Sequence, residues 1–71
     1  MTVLEASLKV LADSGQPMNV KQILHEIEAR NLYAFKAKDP AKVVSSAIRN
    51  NLRNAHPPAL RQVENGYYVL A

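Results

Sequence analysis

The residues best able to do chemistry form a cationic and polar stripe in the middle of the chain. Lys42, Ser46, Arg49 and Arg53 are spaced four, three and four residues apart, which puts them on one face of an α-helix. No acidic residue occurs between positions 40 and 54, so no i,i+4 acid–base pair neutralises the stripe. Such a face either is simply solvated or binds phosphate groups. The flanking side chains are those of Ser45 and Asn50.

The helix that would carry this stripe is Asp39 to Asn54, DPAKVVSSAIRNNLRN. Asp39 can act as N-cap, because its carboxylate can accept from N–H groups of the first turn. Pro40 suits the first helical position, where a missing N–H costs nothing. The opposite, apolar face consists of Val43, Val44, Ala47, Ile48 and Leu52. Asn51 lies within this apolar arc, and we expect its amide to satisfy backbone groups of a neighbouring loop or hairpin.

The positive charge is concentrated around this helix. The net charge is only +3, but residues 1–35 carry three Lys or Arg against four acids, whereas residues 36–61 carry six against one. Lys36 and Lys38 precede the helix and Arg61 follows it. This distribution is typical of a surface that binds nucleic-acid phosphates. Tyr33 and Phe35 alternate with the lysines as core lids or, alternatively, as base-stacking rings.

Composition argues against several other functions. With 71 residues the chain corresponds to one small domain, and the absence of cysteine excludes disulfides and thiolate metal sites. His25 and His56 are far apart in sequence and match no catalytic or metal-binding motif. No apolar run approaches the roughly 18–20 residues of a membrane span. We therefore expect no enzyme activity, cofactor, metal, small-molecule substrate or membrane contact, and an intracellular location.

Two further helices are predicted before this one. The first runs from about Val3 to Ser14, with Thr2 and Glu5 as a capping box and Gly15 as its left-handed end. Its inner stripe is predicted as Leu4, Leu8, Leu11 and Ala12, with Val3, Ala6 and Val10 on an adjoining face. After a short extended link at Gln16 to Met18, the second helix begins at the cap Asn19 and ends near Asn31. Its buried stripe is predicted as Val20, Ile23, Leu24 and Ile27.

The C-terminal part reads as a β-hairpin. Pro57 and Pro58 end the third helix by about Ala55. Asn65-Gly66 is the favoured pair for a type I′ turn, which would place Glu64 opposite Tyr67 and Arg61 opposite Leu70. In that register Val63, Tyr68 and Leu70 share the core face and Arg61 points inward. A bulge near Gln62, or an early end to the pairing, would avoid burying the guanidinium.

The element order α-β-α-α-β-β predicts an α+β, mainly α, winged helix-turn-helix fold. Residues 39–54 are then the recognition helix and the hairpin is the wing, so we expect binding to double-stranded DNA. The residues expected at the major groove or its rims are Lys42, Ser45, Ser46, Arg49, Asn50 and Arg53. Lys36, Lys38 and Arg61 are expected to contact phosphates.

The chain also resembles a known family. The stretch VLEASLKVLADSGQPMNVKQILHEIEARNLYAFKAKDPAKVVSSAIRNNL, followed by GYYVL, is similar to the HARE-HTH domain. That domain occurs in chromatin proteins of the additional-sex-combs-like group, in restriction endonucleases and in the delta subunit of bacterial RNA polymerase. The features that match are Gly15 with Pro17-Met18, the stripe from Ile23 to Ile27, Leu32, Asp39-Pro40, and Gly66-x-Tyr68-x-Leu70. Asp39 stands where the family more often has threonine, which is also a cap.

The resemblance implies a winged helix proposed to bind DNA, usually as a module at one end of a larger protein. We accordingly expect an excised module rather than a complete protein, nucleoid-associated in the cytoplasm of a bacterium or nuclear in a eukaryote. The alternative function is a protein-interaction module that docks on RNA polymerase or on chromatin or restriction machinery. Its contact surface would be Val3, Ala6 and Val10, or Tyr67 and Val69 of the wing.

Overall fold

The computed structural model describes residues 2–71, and its elements follow the predicted order. The helices are α1 (Val3–Ser14), α2 (Val20–Ala29) and α3 (Pro40–Asn54), and the strands are β1 (Met18–Asn19), β2 (Leu60–Glu64) and β3 (Tyr67–Leu70). The strands form one antiparallel sheet in the order β1-β3-β2. Three helices and a C-terminal hairpin confirm the predicted winged helix-turn-helix architecture.

Local hydrogen bonds define the first two helices as the sequence predicts. The Thr2 Oγ1 atom accepts from the Glu5 N–H at 3.1 Å, and the Glu5 carboxylate accepts from the Thr2 N–H at 2.8 Å. Asn19 and Gln22 form the same reciprocal pair at the start of α2, with bonds of 2.8 and 3.0 Å. Gly15 ends α1 with φ 66°, a conformation that costs glycine no Cβ strain. These caps satisfy N–H and C=O groups that would otherwise be unpaired at helix ends.

The core lies where the three helices meet the sheet. Its fully buried centre consists of Ile23 and Ile27 from α2, Val44 and Ile48 from α3, and Leu60 from β2. Tyr68 of β3 and Met18 of β1 close it from the sheet side. Asp39 and the alternation of apolar residues in α3 therefore seat that helix with its apolar arc inward, as predicted.

The buried face of α1 differs from the prediction. Ala6, Ser7, Val10 and Leu11 are buried, whereas Leu4 and Leu8 are only partly buried and Ala12 is exposed. α1 packs against α2, α3 and β3 together, and the small side chains of Ala6 and Ser7 allow that close approach. The Ser7 hydroxyl donates to the Val3 carbonyl at 2.9 Å, which satisfies it inside the core. Ala6 and Val10 are therefore core residues, and their proposed role as a partner-binding flank is wrong.

The hairpin pairs Glu64 with Tyr67 as predicted, but its remaining register shifts by one residue. Leu60 opposes Leu70, Arg61 opposes Val69 and Gln62 opposes Tyr68, with a bulge between Gln62 and Glu64. Asn65 has a negative φ and only Gly66 is left-handed, at 83°, so the predicted type I′ turn is wrong. The bulge supplies the extra residue and local twist instead.

The bulge also changes which hairpin residues are buried. Leu60 and Tyr68 enter the core, whereas Val63 is 41% exposed and Leu70 is 39% exposed. The prediction that Val63 and Leu70 share a core face with Tyr68 is therefore wrong. Arg61 is exposed, so the bulge near Gln62, which was one of the two predicted alternatives, keeps the guanidinium in water.

An exposed ion pair joins α1 to the end of α2. The Arg30 guanidinium donates to the Asp13 carboxylate at 2.6 Å, and the Lys9 ammonium lies 4.0 Å from the same carboxylate. The hydrogen bond from Arg30 lowers the pKa of Asp13 below its ordinary value, and the positive charge of Lys9 contributes in the same direction. The ionised form of Asp13 is thus favoured in the folded state.

We expect the stability contribution of Asp13 to disappear in acid. Because the folded-state pKa lies below the unfolded value of about 3.9, the gain is present above that pH and is lost as the pH falls through the folded-state pKa. Asp13→Asn should therefore lower the melting temperature slightly at pH 7 and leave it unchanged near the acid limit of the titration. Thermal melts followed by circular dichroism, with Glu28→Gln as an exposed acid control, test this. A pH-independent difference would contradict it.

Candidate nucleic-acid interface

The exposed face of α3 carries the cationic stripe. Lys42, Ser46, Arg49 and Arg53 are all exposed, while Val44 and Ile48 on the opposite side are fully buried. The helix begins at Pro40, and the Asp39 carboxylate accepts from the Lys42 N–H at 3.3 Å. With 15 residues, α3 is about 22 Å long. The stripe therefore runs along most of a rigid, solvent-facing rod.

The two residues that flank the stripe differ in accessibility. Ser45 is half-buried, on the side where its hydroxyl has limited reach. Asn50 is exposed and lines two shallow grooves between α3 and the first turn of α1, together with Val3 and Ala47. Sequence reasoning missed that the start of α1 lies beside the stripe. Nothing local could have indicated it, since it depends on how α1 crosses α3.

The loop before α3 brings two lysines to one end of the stripe. Lys36 and Lys38 are exposed. The rings of Tyr33 and Phe35 lie 5.0 Å apart between centroids with their planes tilted by 59°, and both pack against the core. Of the two interpretations of these aromatics, the core lid is confirmed. The lysines are therefore the groups of this loop that face solvent for contacts with phosphate.

The other end of the stripe is cationic as well. Arg53 is in the last turn of α3, and exposed Arg61 follows on β2 opposite Val69. Across residues 2–71, the ion pairs within 4.0 Å are those of Asp13 with Lys9 and Arg30. The six Lys and Arg side chains of residues 36–61 therefore have no acidic partner at that distance. An unneutralised positive field is what a polyanion requires of its binding surface.

Asn51 fulfils the role predicted from its place in the apolar arc. Its Oδ1 atom accepts from the Ala59 N–H at 2.8 Å, which links α3 to the residue just before β2. The predicted satisfaction of a backbone group at the base of the wing is confirmed.

Two further properties concern the part of the chain that the structure describes. Within residues 2–71, no three or more His, Asp and Glu side chains converge in the way a metal ion would need. In the same residues, no helix has both the length and the apolar character needed to cross a membrane.

A basic α3 followed by a two-stranded hairpin defines a winged helix-turn-helix protein. The sequence profile of the HARE-HTH family, the helix-turn-helix domain of ASXL and restriction endonuclease proteins, matches residues 1–71. The chain belongs to this family, whose domains are generally DNA-binding and typically non-enzymatic. No curated protein and no solved structure is significantly similar to the chain.

Proposed function

We propose that residues 1–71 act as one winged-helix module that binds double-stranded DNA with α3 as its recognition helix. The observation that carries this proposal is the stripe of Lys42, Ser46, Arg49 and Arg53, which is exposed along α3 and has no acidic partner. Ser45 and Asn50 are included as flanking contacts. Lys36 and Lys38 at one end, and Arg61 at the other, are the proposed phosphate contacts.

The shape of α3 suits the major groove. That groove is about 12 Å wide and admits an α-helix. Arg49 and Asn50 carry the side-chain types that form bidentate bonds with guanine and adenine, each worth about 1–3 kcal/mol of discrimination against the wrong base. Ser46 is short, so it lets the helix approach the base edges closely. The cations at both ends of α3 would hold the two phosphate backbones and set the register of the helix.

Salt dependence tests the phosphate contacts. If all six Lys and Arg side chains of residues 36–61 contact phosphates, the plot of log K against log salt has a slope of roughly −5. We expect a titration of the ¹⁵N-labelled protein with a mixed-sequence duplex to shift amide signals of α3, the 33–38 loop and the start of β2. These shifts should weaken strongly between low and physiological salt.

Two outcomes would contradict this function. One is the absence of shifts at duplex concentrations well above the usual range for nonspecific binding, about 100 μM. The other is a set of shifts on α1 and α2 that leaves α3 unaffected. The duplex should be compared with a polyanion that has no grooves, such as heparin. Equal responses to both would show charge attraction without insertion of α3.

We further propose that the module brings a larger protein or complex to DNA. A second candidate is docking on a protein partner, and one observation favours it. The large apolar side chains most exposed within residues 2–71 are Val63 and Leu70, and both belong to the hairpin. Tyr67 and Val69, the hairpin contacts expected from the sequence, are half-buried. A titration that shifts only hairpin signals, and only with protein, would favour this candidate.

A further inference from the structure

Asn51 bonds both ends of the segment that connects α3 to the wing. Its backbone carbonyl accepts from the Ala55 N–H at 3.0 Å, and its side-chain Oδ1 accepts from the Ala59 N–H at 2.8 Å. Ala59 in turn accepts, through its carbonyl, from the Ala71 N–H at 3.1 Å. One hydrogen-bonded path therefore joins the recognition helix to the start and the end of the hairpin.

The position of Asn51 makes this bond specific. Asn51 lies within the apolar arc of α3, where an unpaired amide would be costly to bury. Pro57 and Pro58 carry no N–H, so Ala59 supplies the first backbone donor after them. A leucine would fill the same space with apolar atoms, yet it could not hold this donor.

We propose that Asn51 is a positioning residue that fixes the wing, and with it Arg61, relative to the cationic face of α3. This inference rests on the proposed DNA-binding function. Arg61 follows Ala59 by two residues and is exposed, so the direction in which its guanidinium reaches depends on where Ala59 is held. Asn51 itself faces inward and does not need to touch DNA.

Positioning can be separated from folding because another residue anchors the same strand. Leu60 is fully buried in the core next to Ala59. Without the bond from Asn51, β2 stays attached through Leu60, but the segment just before it loses its link to α3. The expected result is a folded protein whose Arg61 no longer reaches its phosphate reliably.

The test compares Asn51→Leu with Asn54→Leu, the same substitution on an exposed residue of the same helix. Duplex affinity and its salt slope are measured for each variant with and without Arg61→Ala, at a temperature where circular dichroism shows all proteins folded. We expect Asn51→Leu to reduce the magnitude of the slope by about 0.9, the loss of one phosphate contact. Affinity at low salt should fall by up to about fivefold, the upper range for an exposed ion pair.

Coupling between the two sites is the decisive readout. Arg61→Ala should weaken binding in the native and Asn54→Leu backgrounds and have no additional effect in the Asn51→Leu background. Asn51→Asp keeps an acceptor oxygen for Ala59, so it should restore the effect of Arg61→Ala. Additive effects of Asn51→Leu and Arg61→Ala, or an unchanged salt slope, would overturn the proposal.

Failure of the inference can be told from failure of the function. If Arg49→Ala with Arg53→Ala weakens binding while Asn51→Leu leaves the slope unchanged, only the positioning role of Asn51 is wrong. If neither changes binding, DNA recognition by α3 is wrong. Should Asn51→Leu fail to fold, Asn51→Ala also removes the acceptor and allows the same comparison.

Discussion

Replacing Arg49 and Arg53 together by alanine is expected to weaken duplex binding at least tenfold at low salt. Both guanidinium groups are exposed on α3 and lack acidic partners within 4.0 Å. Their removal takes away two phosphate contacts or one base contact and one phosphate contact, each of which exceeds ordinary surface effects. Alanine has the highest helix propensity, so α3 should remain intact. Fluorescence titration gives the affinity, and circular dichroism gives the fold.

The matched control removes the same charge elsewhere. Lys9→Ala with Lys21→Ala also deletes two cations, but from α1 and α2, away from the stripe. An equal loss of affinity in both double variants would show that only the net charge matters, and unchanged binding in the arginine variant would refute the recognition surface. Arg49→Lys with Arg53→Lys separates the two kinds of contact, since lysine keeps the charge but loses bidentate geometry.

The largest effect on stability is expected from Ile48→Ala, at the residue next to Arg49. Ile48 is fully buried against the core, and truncating such a side chain to alanine costs about 2–5 kcal/mol. A domain of this size without disulfides is stable by only about 3–5 kcal/mol. We therefore expect a large fraction of Ile48→Ala to be unfolded at 25 °C. Urea unfolding followed by circular dichroism measures this directly.

A graded control accompanies this substitution. Ile48→Val removes one methylene group and should cost only about 0.5–1.5 kcal/mol, which leaves a cooperative transition at a lower midpoint. If Ile48→Ala unfolded at the native midpoint, the packing of α3 described above would be wrong. Loss of DNA binding in this variant would reflect the unfolded fraction. Adjacent residues of α3 thus separate the two requirements, a seated helix and a charged face.

Most of the fold could be predicted because its signals are local. Asp39-Pro40, the Thr2–Glu5 pair and the Asn19–Gln22 pair satisfy helix-end N–H groups from within a few residues, so helix boundaries could be read from residue types and spacing. The same holds for the exposed stripe of α3, because its periodicity is a property of one helix. The element order then indicated a winged helix. The assignment of individual residues to DNA remains a prediction.

The tertiary structure decided the features that depend on contacts between distant segments. The spacing of Leu4 and Leu8 suggested the buried face of α1, but packing against three elements selected the smaller Ala6 and Ser7. The hairpin register shifted because Leu60 had to enter the core while Arg61 had to remain in water, and a bulge reconciles both. The partner of Asn51 could be anticipated only as some backbone group. Ala59 became that partner when the prolines turned the chain back along α3.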